Sequence, residues 1–204
     1  MPPKKRKTKA HKPHKDHVPD FIQLMTDHIM GAATVLRGKI NKKKSLVTAG
    51  LEALKHNTME WGCGMAQVTG SPEKGHSFAQ LWGRHVTLEG EYIGAVFACK
   101  CHTMDFGVCE RAEAATEAVQ HLKDNGRELV NFLTQEFGRE EVWTNYWLAH
   151  LQCVKDFIDM AKLTACKVRT MKDFKDRVVH CIDIGKHLGN EFNSLRHPEH
   201  VMQR

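Results

Sequence analysis

Proline is scarce in this chain and unevenly placed. Its six residues are Pro2, Pro3, Pro13, Pro19, Pro72 and Pro198, so residues 20–71 and 73–197 contain none. Proline costs about 3 kcal/mol inside a helix and marks helix boundaries, so both stretches are free to be helical. No segment approaches the roughly eighteen consecutive apolar residues of a membrane-spanning helix. The charged N-terminus lacks the apolar core of a secretory signal, so a cytosolic or nuclear protein is expected. A P-loop, a G-x-S-x-G elbow, a Rossmann glycine pattern and a His-Glu-x-x-His pair are all missing. No nucleophile, base and orienting group stand together. Glu140 and Glu141 fall at a helix start, where the helix dipole favours them. A non-enzymatic protein with no cofactor and no metal is therefore expected.

Acidic residues are absent from residues 1–15, which hold Lys4, Lys5, Arg6, Lys7, Lys9, Lys12 and Lys15. These seven cations exceed the whole net charge of +6, so residues 16–204 are close to neutral. Residues 1–18 read as a disordered basic tail. The run Lys4, Lys5, Arg6, Lys7 has the composition of a nuclear localisation signal, of a nucleic-acid or lipid-binding arm, or of a solvated tail. Importin or nucleic acid are its alternative partners.

The seven cysteines are odd in number and mostly occupy apolar positions, so reduced thiols are expected. Cys99, Cys101, His102 and Cys109 are the densest group of metal-ligand types. Cys99 and Cys101 stand about 200° apart on a helix, however, so they diverge. Of the fourteen histidines, His85 and His150 fall on apolar stripes, where a packed and hydrogen-bonded ring is expected.

The proline-free stretches carry a helical period. Asp20 is placed as the N-cap of a first helix, and segment 20–30 as its first core turns rather than a membrane-interface helix. Ile29, Leu36, Ile40, Val47, Leu54, Trp61 and Met65 share one face, with a break near Lys42, Lys43 and Lys44. Gly70-Ser71-Pro72 ends this helix and starts a second, with Ser71 as cap and Pro72 at its first position. The second stripe runs from Phe78 to Phe137 and crosses Asn125-Gly126, read as a kink with an inter-helix turn as the alternative. Gly138 marks the next turn. A third helix runs from about Arg139 to Leu195, through Trp143, Trp147, Phe157, Val178 and Phe192. The expected fold is all-α: an elongated antiparallel three-helix coiled coil over residues 19–196, with a C-terminal tail at 197–204. Broad apolar faces on such a rod point to a homodimer.

This pattern resembles the BAR domain family, most nearly its sorting-nexin-like and standalone members, over about residues 24–195. The residues concerned are Leu36-Arg37, Lys43-Lys44-Ser45-Leu46 and Ala49, then Phe78-Ala79, Leu81 and Glu89. Trp143, Tyr146-Trp147 and Ala149 follow. The most specific fragment is Arg169 with Met171, Lys172-Asp173-Phe174-Lys175 and Val178. The resemblance implies a crescent-shaped dimer whose basic surface binds anionic, curved membrane. Its lipid-facing residues would be Lys39, Lys42, Lys43, Lys44, Lys167, Arg169, Lys172, Lys175 and Arg177, with a solvated helix face as the plain alternative. The chain departs from sorting nexins in lacking a PX domain. Its neutral body implies weak, arm-assisted binding by a cytoplasmic, peripheral membrane scaffold. A nuclear helical protein or a coiled-coil adaptor is the alternative.

Overall fold

A computed structural model of the chain describes residues 19–99 and 112–196. All the regular structure among them is α-helical: α1 (Phe21–Ile40), α2 (Lys44–Thr69), α3 (Pro72–Ala98), α4 (Ala112–Phe137), α5 (Glu140–Ala165) and α6 (Met171–Ser194). Each of the three long spans expected from the sequence is thus two helices. α1 folds back on α2, α3 on α4, and α5 on α6, and α6 closes the ring by packing on α1. The elongated three-helix rod is replaced by a bundle of three helical hairpins.

The ends of the helices follow local chemistry. Asp20 caps α1, accepting from the Ile22 N–H at 3.0 Å. Ser71 caps α3 from Lys74 N–H at 3.2 Å, with Pro72 in the first turn. Gly70 (φ 66°) and Gly138 (φ 68°) take the left-handed conformation that ends α2 and α4. These four positions agree with the sequence pattern. The unexpected turn after α5 is made by Lys167 at φ 61°, and α6 then starts on a capping box. Thr170 Oγ1 accepts from Asp173 N–H while the Asp173 carboxylate accepts from Thr170 N–H at 2.8 Å.

Two core clusters fill the bundle. One is aromatic, with Phe21, Trp61, Phe78, Trp82, Trp143, Trp147 and Phe192. The other is mainly aliphatic, with Leu36, Leu54, Val96, Leu122, Ile158 and Phe174 among its members. Phe174, part of the family-like segment, stacks on Phe157 at 5.5 Å. α4 passes through Asn125-Gly126 without a turn. Asn125 is buried there and donates from Nδ2 to the Leu81 carbonyl at 3.1 Å.

The thiol expectation is overturned. Cys153 and Cys181 are joined by a disulfide that ties α5 to α6, with Cα atoms 5.8 Å apart. Cys99 and Cys166 each take part in a disulfide as well, and Cys63 is free and exposed. Two helices packed side by side bring residues 28 positions apart in the chain into bonding range. Disulfides persist mainly in oxidising compartments, so the reduced-thiol argument for a cytosolic location falls away. Cys101, His102 and Cys109 lie outside the described residues, as do residues 1–18 and 197–204.

Candidate functional site

Antiparallel hairpins set the direction of every helix. Lys74 pairs with Glu136, and Arg84 with Glu128, so α3 and α4 run opposite ways. A Cβ built at Gly185 would meet Ile29, and one at Gly189 would meet Ile22, so α1 and α6 do too. α1, α3 and α5 therefore run together, and their C-terminal ends share one end of the bundle.

That end collects the basic residues singled out from the sequence. Lys39, Lys42, Lys43 and Lys44 lie at the α1–α2 turn; Lys167, Arg169, Lys172 and Lys175 lie at the α5–α6 turn; all eight are exposed. Arg177 is half-buried and pairs with Asp156 at 3.5 Å, and Lys172 pairs with Asp176 at 2.8 Å. The other seven make no ion pair among the described residues. Residues 37–51 and 165–177 together hold ten Lys or Arg against two Asp, a local net charge of +8 in a chain whose total is +6. The opposite end carries six acids, Asp20, Glu73, Glu136, Glu140, Glu141 and Glu191, against Lys74, Arg139 and Arg196. A neutral sum thus conceals charge separated along the bundle axis. Val168 stands 48% exposed between Lys167 and Arg169 at the tip of the basic end. The basic arm Lys4, Lys5, Arg6, Lys7 is outside the described residues.

A second site lies in the interior, where α1, α3 and α5 meet. His28 comes from α1, His85 and Glu89 from α3, and His150 from α5; all four are between 0% and 3% exposed. His85 and Glu89 are four apart, one helical turn, which puts them on the same face. His85 Nε2 is 2.9 Å from Glu89 Oε1, and His28 Nε2 is 3.4 Å from the same oxygen. His150 Nε2 is 3.3 Å from His85 Nε2. Ring centroids of the three histidines are 5.4–5.8 Å apart. Trp82 packs 5.0 Å from His28, and Trp147 5.0 Å from His85, so the aromatic core roofs the site. A small, mostly apolar cavity with room for about one water-sized guest adjoins it, between Ile93, Phe157 and the Cys153–Cys181 disulfide.

Burial and the facing rings set the electrostatics together. Burial would raise the Glu89 carboxyl, but the facing His28 and His85 outweigh it and hold the group well below the ordinary range. Burial, helped by His85 and His28, pushes His150 down to about 3, so its ring is neutral at pH 7. Nearby, the Tyr92 hydroxyl donates to Asp159 at 2.8 Å, and the buried Lys162 ammonium caps the end of α3 through the Cys99 carbonyl.

The sequence pattern placed His85 and His150 in the core but did not join them. The only local signal was the i, i+4 spacing of His85 and Glu89; His28 and His150 are 57 and 65 residues away from His85 along the chain and meet it only through the fold. No family model, curated protein or solved structure matches the chain. No described helix is long and apolar enough to cross a membrane.

Proposed function

We propose that the protein is a non-enzymatic helical scaffold that docks on anionic membrane through the basic end of its bundle. The observation that carries this is the meeting of eight exposed cations, from two turns more than a hundred residues apart, at that one end. Each Lys or Arg near an anionic lipid surface gains about 1 kcal/mol. Exposed Val168 supplies an apolar tip to sit among the headgroups. Arg37 and Lys39, in the last turn of α1, are complemented by the dipole of that helix. In this reading the protein is a peripheral membrane protein. A homodimer would bring two basic ends to one bilayer with avidity; the crescent implied by the BAR resemblance is not carried over, because its long rod is replaced by three hairpins.

Co-sedimentation of the full chain with phosphatidylserine-containing vesicles tests this. Wild type should pellet at low salt and be released by added salt, because surface charge is screened within a Debye length. The triple change Lys42→Glu, Lys43→Glu, Lys44→Glu should lower binding at least about a hundredfold. Neutralising Lys4, Lys5, Arg6 and Lys7 should weaken binding less than the triple change does. No pelleting of wild type, or equal pelleting of the triple variant, sinks the proposal. Small-angle scattering of the same samples reads the oligomeric state and shape.

A further inference from the structure

We propose that His28, His85, Glu89 and His150 form a buried binding site for one divalent transition-metal ion of the zinc class. One ligand atom from each of the four residues lies within 4.8 Å of the others. At metal–nitrogen distances of about 2.0–2.1 Å, two ligands of a tetrahedral ion stand roughly 3.3–3.4 Å apart. The His85–His150 and His28–Glu89 separations, 3.3 Å and 3.4 Å, already have that length. The His85–Glu89 pair at 2.9 Å is shorter and would open by a few tenths of an ångström, while the remaining pairs, all within 4.8 Å, would close onto the ion. Three imidazoles and one carboxylate are the donor set that zinc and its neighbours take.

The alternative is a buried hydrogen-bond network without an ion, and proton counting disfavours it. Glu89 Oε1 can accept from Nε2–H of both His28 and His85. The His150 Nε2 atom then faces a His85 nitrogen whose one proton is already committed. A network of this kind leaves lone pairs or protons unsatisfied in a dry interior, which is costly. A cation at the centre engages all four converging atoms at once. The four side chains come from three helices that are adjacent only in the folded bundle, so binding would add directly to the stability of the fold.

The test uses the full chain, unfolded, stripped of metal with a chelator and refolded with Co2+ as a spectroscopic stand-in for zinc. Refolding removes any block to entry through the closed core. The expected result is saturation at one ion per chain, with the visible absorption of tetrahedral Co2+, displaced by Zn2+. A full-length variant with His11→Asn, His14→Asn and His17→Asn should bind the same single ion, because none of the four proposed ligands is changed. The His28→Gln, His150→Gln double variant should lose it. No saturating absorption in refolded wild type overturns the site, as does unchanged absorption in the double variant. Should that variant fail to fold, X-ray absorption of the zinc-loaded wild type decides: a first shell of nitrogen and oxygen at about 2.0–2.1 Å with imidazole scattering supports the site. A sulfur shell places the ion on cysteines and overturns it.

Discussion

Gly126 lies directly beneath the indole of Trp147. A Cβ at Gly126 would stand 1.9 Å from Trp147 Nε1 and 2.5 Å from its Cδ1. The indole has nowhere to retreat, because Trp82, His85 and His150 already pack against it. In an open helix, Gly→Ala gains about 1 kcal/mol. Here Gly126→Ala should instead cost about 1–3 kcal/mol through overpacking. Urea unfolding of the two proteins checks the sign. A gain in stability would show that α4 and α5 do not approach as closely as this contact requires.

That contact also explains what was hard to see in the sequence. Asn125-Gly126 has the composition of a turn, but both residues serve close packing inside α4. The real turns were less conspicuous. Two of them are made by lysines, Lys42 and Lys167, in the left-handed region, where glycine or asparagine is the usual signal. The apolar stripe runs on across each turn because both arms of a hairpin face the same core, so Ile40 and Val47 keep the helical phase although α1 ends between them. The breaks carrying conventional signals, Gly70-Ser71-Pro72 and Gly138, were legible. Thr170-x-x-Asp173 carried one too, but a resemblance covering the same residues read them as mid-helix.

The basic residues were also legible singly, while their meeting at one end depended on helix direction. The histidine site was still further out of reach. Local spacing links only His85 to Glu89, and the other two ligand types arrive from α1 and α5.

The Cys153–Cys181 bond closes a loop with a sequence separation of 28. Loop-closure entropy of this size corresponds to about 3 kcal/mol of stability. The double change Cys153→Ala, Cys181→Ala should lower unfolding stability by that amount, whereas Cys63→Ala should leave it within about 0.5 kcal/mol, since Cys63 is exposed. Non-reducing peptide mapping should recover the 153–181 cross-link. Equal urea midpoints for wild type and the double variant would show that the bond does not form in solution.

Tyr92 predicts an alkaline limit. Burial, then the Asp159 carboxylate it donates to, raises its phenol above the ordinary value of 10.0, and burial with Glu191 raises Tyr146. A raised pKa means that the folded chain keeps a proton the unfolded chain releases. The stabilisation is therefore complete below about pH 10 and is lost as pH climbs above it. These are the only two tyrosines, so tyrosinate absorbance at alkaline pH should lag behind free tyrosine and rise with unfolding. Tyr92→Phe should cost about 1–2 kcal/mol at neutral pH and flatten the fall above pH 10. Two phenols titrating normally in the folded protein would refute the buried Tyr92–Asp159 contact.

The α5–α6 turn separates the hairpin bundle from a continuous third helix, and two substitutions there have opposite signs under the two architectures. Thr170 caps α6, so Thr170→Ala should destabilise the bundle by about 1 kcal/mol. In an unbroken helix the same change would stabilise, because alanine is the best helix former. Lys167 sits at φ 61°, so Lys167→Gly should relieve about 1 kcal/mol of left-handed strain. In an unbroken helix glycine would cost about as much. Chemical unfolding of both variants gives the answer without any ligand. Destabilisation by Thr170→Ala with stabilisation by Lys167→Gly fits the turn that brings Lys167 and Arg169 to the basic end. The reverse pair of signs would restore the long helix and scatter those cations along it.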